Sequence, residues 1–518
     1  MSRSAPVLAT PVNSASGITW RKVFSFPVML GVLLVAGAYV ASSLDGIPGG
    51  KIFVEGDTWI HQVVGERILE THAWPHADIY SFTAAGVPRI AYEWLGEVGI
   101  AFAAHLDGLE GMAILLMFWA GLLVLLLYLL AYLRCGNTKA AAVAVALALP
   151  IIGPFLTLRP QLLGLCFLVA AMTGLEWARR GRTWVLALFP PLFLIWVNTH
   201  SSFVLGLVVM GAYALEGMVE INRPWLRAER WPVAARKKFL VSGLFSLLIL
   251  FITPYGGGLA AYPLDVMIHQ KAVLQGVTEW SPLLSKADLL PVQAFFLVLA
   301  VFMAGNYLLR PVAYALRDAV FLAGAATEAF LHARMIAVFA VAFVPVMATL
   351  LARLLAPYQP KRDKPALNAV LIAGLLAVCA VTFPSQEKLE GLLRLSYPVG
   401  TVGYLGAHPA LRPVFNRAGW GGYLMHRDVP VFITGQLDVF QYSGTLADYF
   451  RIIQPVPNAE MLLKKYSIRV CLLQTSSPLT EFLERRPGWR VVASDQVSVL
   501  IEYVRHPAAP ETATGAKY

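Results

Sequence analysis

Apolar and polar positions divide this chain into long uniform stretches and, at one end, short alternations. Apolar runs of roughly 17 to 25 residues, enough to cross a hydrocarbon layer, recur from Phe24 to about Phe383 and then stop. They predict about eleven spanning helices, near 24–43, 111–133, 140–158, 160–177, 183–198, 202–219, 239–253, 289–309, 318–333, 334–355 and 365–383. One long helix or a re-entrant turn at 140–177 or 318–355 would change the parity. From Pro384 the pattern changes. Strand-like runs ("VPVFITG", "RVCLLQT", "WRVVAS", "VSVLIEY") alternate with helical ones ("LADYFRIIQ", "AEMLLKKY", "LTEFLERR"), which predicts a small α/β domain over 384–505 behind a membrane domain of residues 1–383. Residues 506–518 lack periodicity and apolar content, and are expected to be disordered.

Between the first two apolar runs, residues 44–110 form a long polar loop. Within it, Trp59, Ile60, Val63, Val64, Ile68 and Leu69 fall on one helical stripe, which predicts an interfacial helix lying flat on the membrane with Asp57 as its N-cap. "YEWLGEVGIAFAAHLDGLEG" predicts a second interfacial helix carrying Glu93 and Glu97 one turn apart on one face.

Composition agrees with a membrane body, since 58% hydrophobic against 14% charged residues excludes a soluble multidomain protein. The net charge of +10 does not require nucleic acid. Lys and Arg concentrate in alternate connections, including Arg134 and Lys139, Arg179, Arg180 and Arg182, and Arg236 to Lys238, as the positive-inside rule expects. That asymmetry puts the N-terminus inside and, with an odd number of spans, the C-terminal domain outside; in a bacterium this is the inner membrane with a periplasmic domain. Arg21 and Lys22 precede an apolar run without a small-residue cleavage site, so the first span is expected to be uncleaved. Cys135, Cys166, Cys379 and Cys471 have no C-x-x-C spacing and argue against a zinc site or a disulfide framework. No Walker, H-E-x-x-H or G-x-S-x-G motif occurs.

Ionisable residues near membrane depth are costly and are therefore functional candidates. Asp57 and His61 share a helix face as a candidate acid/imidazole pair, against the bland reading of a cap and a surface histidine. Glu93, beside Trp94, is a candidate for orienting substrate or pairing with Arg89. Arg159 in "LTLRPQ" has the chemistry to grip a phosphate, or simply to snorkel. Asn198 and His200 in "WVNTHSSFVLG", Glu279 beside Trp280 in "TEW", and Glu328, His332 and Arg334 in "TEAFLHARM" also sit at outer ends of predicted spans. Trp420 and Tyr423 in "GWGGYL" are candidates for the acceptor side, against a plain tight turn. Acids with cations at an outward site suit group transfer from a lipid-linked phosphosugar: a carboxylate deprotonates the acceptor and cations stabilise the leaving phosphate.

The order of features resembles the GT-C superfamily of polyprenyl-phosphate-sugar-dependent glycosyltransferases. More narrowly, "GDTWIHQVVGERIL", "PHADIYSFTAAGVPRIAYEWLGEV", "LRPQ", "WVNTHSSFVLG", "TPYG", "TEWSP" and "GWGGYL" resemble a group of bacterial integral membrane proteins of GT-C type, over most of the chain to about residue 505. The resemblance implies that Asp57 is the catalytic base, or a metal ligand where a metal is used, and that polyprenyl-phosphate sugar and membrane lipid are the partners. Many GT-C enzymes also carry an acidic motif in the second outer loop. Here that turn offers Arg159 and Gln161 but no acid, so no cofactor is expected and a divalent metal is not favoured. The narrower group carries an acid where this chain has Thr434. A non-catalytic scaffold for polysaccharide assembly or export, and a lipid or sugar transporter, are the alternative readings. The transporter predicts polar residues along the membrane midplane and an inverted repeat, and the sequence displays neither.

Overall fold

A computed structural model describes residues 20–270, 280–285, scattered positions between 293 and 308, 313–454 and 458–504. Every predicted apolar run outside 289–309, most of which lies beyond the described residues, coincides with a helix. The protein is thus a mostly helical membrane protein. The pair at 140–177 is two helices, Thr138–Ile152 and Pro160–Arg179, broken where Pro154 and Pro160 remove backbone donors. The pair at 318–355 is likewise two, Leu316–Leu331 and Ile336–Leu351.

The expected eleven spans are only partly matched. Among the described residues, four helices are long and apolar enough to cross a membrane: Trp94–Cys135, Thr138–Phe155, Pro160–Arg179 and Ala333–Leu351. A fifth appears if Pro365–Val381 and Gln386–Ser396, bent by 60°, count as one, and Phe26–Ala41, Thr183–Thr199 and Phe203–Met218 are shorter apolar helices. A hydropathy window reads apolar length through prolines and tight turns; the helix itself stops there.

The 42-residue helix Trp94–Cys135 is the spine. It packs against Phe26–Ala41, Asp57–Thr71, Thr138–Ile152, Pro160–Arg179 and Ile336–Leu351. Asp107 and Gly108 leave helical geometry, Gly108 at φ +51°, so the spine turns there from a first arm (94–106) into its apolar length.

The helix predicted over Thr58–Leu69 forms as Asp57–Thr71, but its stripe faces protein rather than lipid. Trp59, Ile60, Val64 and Ile68 are buried in protein, against the spine and the short helix Gly421–His426, and only Leu69 on the stripe is exposed. The N-cap is Gly56 rather than Asp57, whose carboxylate is engaged elsewhere.

The C-terminal region holds a four-stranded sheet in the order Val414–Asn416, Val470–Gln474, Ser498–Tyr503, Trp489–Ser494; the first pair is parallel and the others antiparallel. Three predicted strands and all three predicted helices are present. "VPVFITG" is not a strand. Pro430 lacks a donor, Val431 bridges to the loop at Ser81, and the Phe432 amide donates to the Asn416 side chain, so the ladder position passes to Val414–Asn416. The tail 506–518, expected to be disordered, lies outside the described residues.

Candidate functional site

Four local structures bring polar side chains to one place at one end of the helices. Asp57 opens its helix at the first position. Glu93 sits immediately before the spine and Glu97 one turn in. Arg159 precedes Pro160, which occupies the first helical turn; proline confines its predecessor to extended backbone (φ −134°, ψ 148°) and directs it off the helix start. His200 follows the end of Phe189–Thr199, also extended, with Asn198 in the last turn.

The Arg159 guanidinium ties two acids together, with Nη2 2.9 Å from Asp57 Oδ2 and Nη1 on Glu55 Oε2. Thr157 Oγ1 donates to the other Glu55 oxygen at 3.3 Å. Gly435 closes over Asp57, since a Cβ there would lie 2.2 Å from Oδ1. Asp57 and His61 do not form the anticipated pair. His61 turns to the spine, Nδ1 3.2 Å from Glu97 Oε1 and Nε2 3.6 Å from Glu93 Oε2. Gly65 permits this approach, because a Cβ there would lie 2.1 Å from the Glu97 carbonyl oxygen.

Glu93 does not pair with Arg89, which sits 3.8 Å from Asp78 and over the Tyr80 ring. Its other oxygen, Oε1, is 3.3 Å from His200 Nε2. His200 Nδ1 accepts from the Ser202 amide at 3.0 Å, which leaves Nε2–H as the donor toward Glu93. Burial pushes the Glu93 carboxyl up to about 7, against the pull of His61 and Arg159. Burial opposes charge on His61 as well, but Glu93 and Glu97 outweigh it and hold the imidazole above its ordinary pKa: the field between these carboxylates favours a cation.

Asn198 braces the site, accepting from Trp94 Nε1 at 2.8 Å and donating to the Leu194 carbonyl at 2.8 Å. Arg334 joins from the side, donating to Gln161 Oε1 at 3.0 Å and lying over the Trp280 ring, and its charge acts on Glu93. His332 instead meets the Trp280 carbonyl at 3.0 Å and Glu328 at 4.0 Å, and Glu328 is half-exposed, so these two flank the site. Glu279 lies outside the described residues.

Trp420 and Tyr423 are buried. Trp420 Nε1 donates to the Ser396 carbonyl, and Tyr423 packs edge-on against Trp59. A Cβ on Gly56 would meet the Gly419 carbonyl oxygen at 2.0 Å and one on Gly422 the Gly56 oxygen at 2.5 Å, so "GWGG" seats the C-terminal region on the start of the Asp57 helix. Tyr423 also lines a cavity of about 300 Å³ with Trp59, Gln62, Arg394, His426 and Arg427.

Sequence reasoning passed over Glu55, although it stands two residues before Asp57, and left Glu97 off the site. It also missed Gly435 and the stacked Tyr92 and Tyr262 rings, with Tyr262 Oη donating to Asp438 at 3.2 Å. Nothing local to Gly435 or Asp438 marks them.

The Asp57 and Glu55 carboxylates share one guanidinium, and the 157–161 turn supplies no acid.

The fold is similar to that of solved oligosaccharyltransferases. The chain is similar to the Archaeoglobus fulgidus oligosaccharyltransferase tethered to an acceptor peptide containing the NVT sequon, with TM-score 0.53 and 12% identity over 92% of this chain and 74% of that one. It is similar also to AglB from the same archaeon in complex with an inhibitory peptide and a dolichol-phosphate, with TM-score 0.51 and 11% identity over 86% and 69% of the two chains. At this identity the likeness is one of fold. No protein-family model matches the chain, and no curated protein sequence does.

Proposed function

We propose that this protein is a glycosyltransferase that moves a sugar from a polyprenyl-phosphate-linked donor to a lipid, glycan or protein acceptor. The reaction takes place at the outer face of a bacterial inner membrane, with the N-terminus inside and the 384–505 domain outside. The observation that carries the reading is the Asp57–Arg159 pair, 2.9 Å apart, beside the buried Glu93–His200 pair, on the fold of a lipid-linked-glycan transferase.

In this reading the donor phosphate competes for the Arg159 guanidinium, which binds phosphate as readily as carboxylate. Asp57 is then released from its ion pair and takes the proton of the acceptor nucleophile as the new glycosidic bond forms. The leaving polyprenyl phosphate keeps Arg159 as its counter-ion, with the charge of Arg334 nearby. Glu93, hydrogen-bonded by neutral His200, orients the donor or acceptor. The cavity beside Tyr423 receives the acceptor.

Asp57→Asn in the purified full chain, assayed with polyprenyl-phosphate sugars, is expected to abolish transfer without changing the elution profile. Arg159→Lys should raise the donor KM more than it lowers kcat. A non-catalytic scaffold is the second reading, favoured by the absence of an acid from the 157–161 turn. Unchanged glycan or glycolipid profiles in Asp57→Asn cells, with loss on deleting 384–505, would support it instead.

A further inference from the structure

His61, Glu93 and Glu97 come from two helices, all three are buried, and they offer one imidazole nitrogen and two carboxylate oxygens within 4.8 Å of one another. Among the described residues, two atoms of this trio have no hydrogen-bond partner, His61 Nε2 and Glu97 Oε2. Buried polar atoms are rarely left so, and each such atom calls for a reason.

The tautomer supplies one. In the neutral ring that a bound cation would require, Nδ1–H donates to Glu97 Oε1 at 3.2 Å and Nε2 presents a lone pair toward Glu93 Oε2. The two acceptors stand 3.6 Å apart. A charged imidazole would donate across that gap at roughly 2.8 Å. Instead the separation is close to that of two ligands on one tetrahedral ion, about 3.4 Å for bonds of roughly 2.1 Å. A carboxylate on the far imidazole nitrogen is also the usual support of a metal-binding histidine, fixing its tautomer and raising its basicity.

We propose that His61 Nε2 and Glu93 Oε2 bind a divalent transition ion, with Glu97 positioning the imidazole through Nδ1 and offering its own unpartnered Oε2 to the ion or to its water. One nitrogen with carboxylate oxygens suits Mn²⁺ or Zn²⁺ better than Ca²⁺. This position is one helical turn along from Asp57 and separate from the Asp57–Arg159 pair. The sequence expectation of a metal-free site rested on the missing acid near Arg159; it did not consider a cluster made across two helices. Two protein ligands, or three, leave coordination positions for water or phosphate oxygens. The inference does not depend on the glycosyl-transfer reading.

The test uses the full chain in detergent, stripped with a chelator, then titrated with Mn²⁺ followed by electron paramagnetic resonance and with Co²⁺ followed by absorption. One ion per chain is expected, with nitrogen coupling from the imidazole in the wild type. His61→Gln and Glu93→Gln should weaken binding at least tenfold, Glu97→Gln about 10- to 100-fold as for other metal-supporting carboxylates, and Asp57→Asn less than twofold. Failure of the wild type to bind either ion, absence of nitrogen coupling, or binding unaffected by His61→Gln in protein of wild-type helicity would overturn the proposal and leave a proton as the occupant of the gap. Because no sugar donor is present, these outcomes are independent of whether transfer occurs.

Discussion

Two clusters of buried charge lie at opposite ends of the helices. Toward Cys135 and Arg179, Arg317 is held between Glu176 and Glu216, Arg134 between Glu176 and Asp318, Tyr213 Oη donates to Glu176 at 2.8 Å, and Arg179 reaches Glu216 and Glu229. No buried side-chain atom of this network lacks a partner, among the described residues. At the other end His61, Glu93, Glu97 and His200 are equally buried, yet among the described residues His61 Nε2 and Glu97 Oε2 have no hydrogen-bond partner. Taking charge out of water is costly, and full pairing is the way a structural network offsets it. Incomplete pairing at similar burial is the observation on which the proposed ion site rests. Arg134, expected from the sequence to be a loop charge under the positive-inside rule, instead locks the bundle, with its side chain 9% exposed against Glu176.

Substitutions in the two clusters should therefore differ in kind. The largest effect is at the Asp57 end: Asp57→Asn should lower transfer by about 10²- to 10⁴-fold, the range of a lost general base, with little change in the thermal midpoint. At the opposite end, Glu176→Gln leaves two arginines short of a charge partner. Breaking a buried pair costs about 3–5 kcal/mol, so the midpoint in detergent should fall clearly. A stable Glu176→Gln protein would remove the contrast between the clusters. Gly65→Ala is an intermediate case. Its Cβ would press on the Glu97 backbone and part the two helices, at about 1–3 kcal/mol for an overpacked contact, and any ion bound by His61 should be lost with it.

The smallest effect is in the C-terminal region. Hydrogen bonds from Lys465 and Tyr466 hold Asp448 below the ordinary aspartate pKa. Its contribution is present above that ordinary value, about 3.9, and is lost as pH falls through the lower folded-state value. The midpoint difference between wild type and Asp448→Asn should therefore be visible at pH 7 and shrink below about pH 3. A constant difference across that range would show that the charge is irrelevant there.

Part of the site was legible in the chain. The Trp59–Ile68 stripe marks a helix because burial on one face repeats with the helical period, and Pro160 marks where Arg159 must leave that geometry. Glu93 and Glu97 share a face for the same reason. The "VPVFITG" run was misread because its alternation is that of a strand, while its pairing partners, the loop at Tyr80 to Phe82 and the Asn416 side chain, are far along the chain. The mate of Asp57 is a further case: four residues away stands His61, but the partner is Arg159, 102 positions on.

By itself the sequence determined the membrane setting and where most helices lie, since these follow from local hydropathy and period, but not how many cross or where each one breaks. Only the tertiary structure decided which charges meet. Gly65 lets the Asp57 helix approach the spine, and that single close contact turns His61 away from Asp57 and toward Glu93 and Glu97. Ion pairing depends on a few ångströms between distant segments, and no local pattern records that distance.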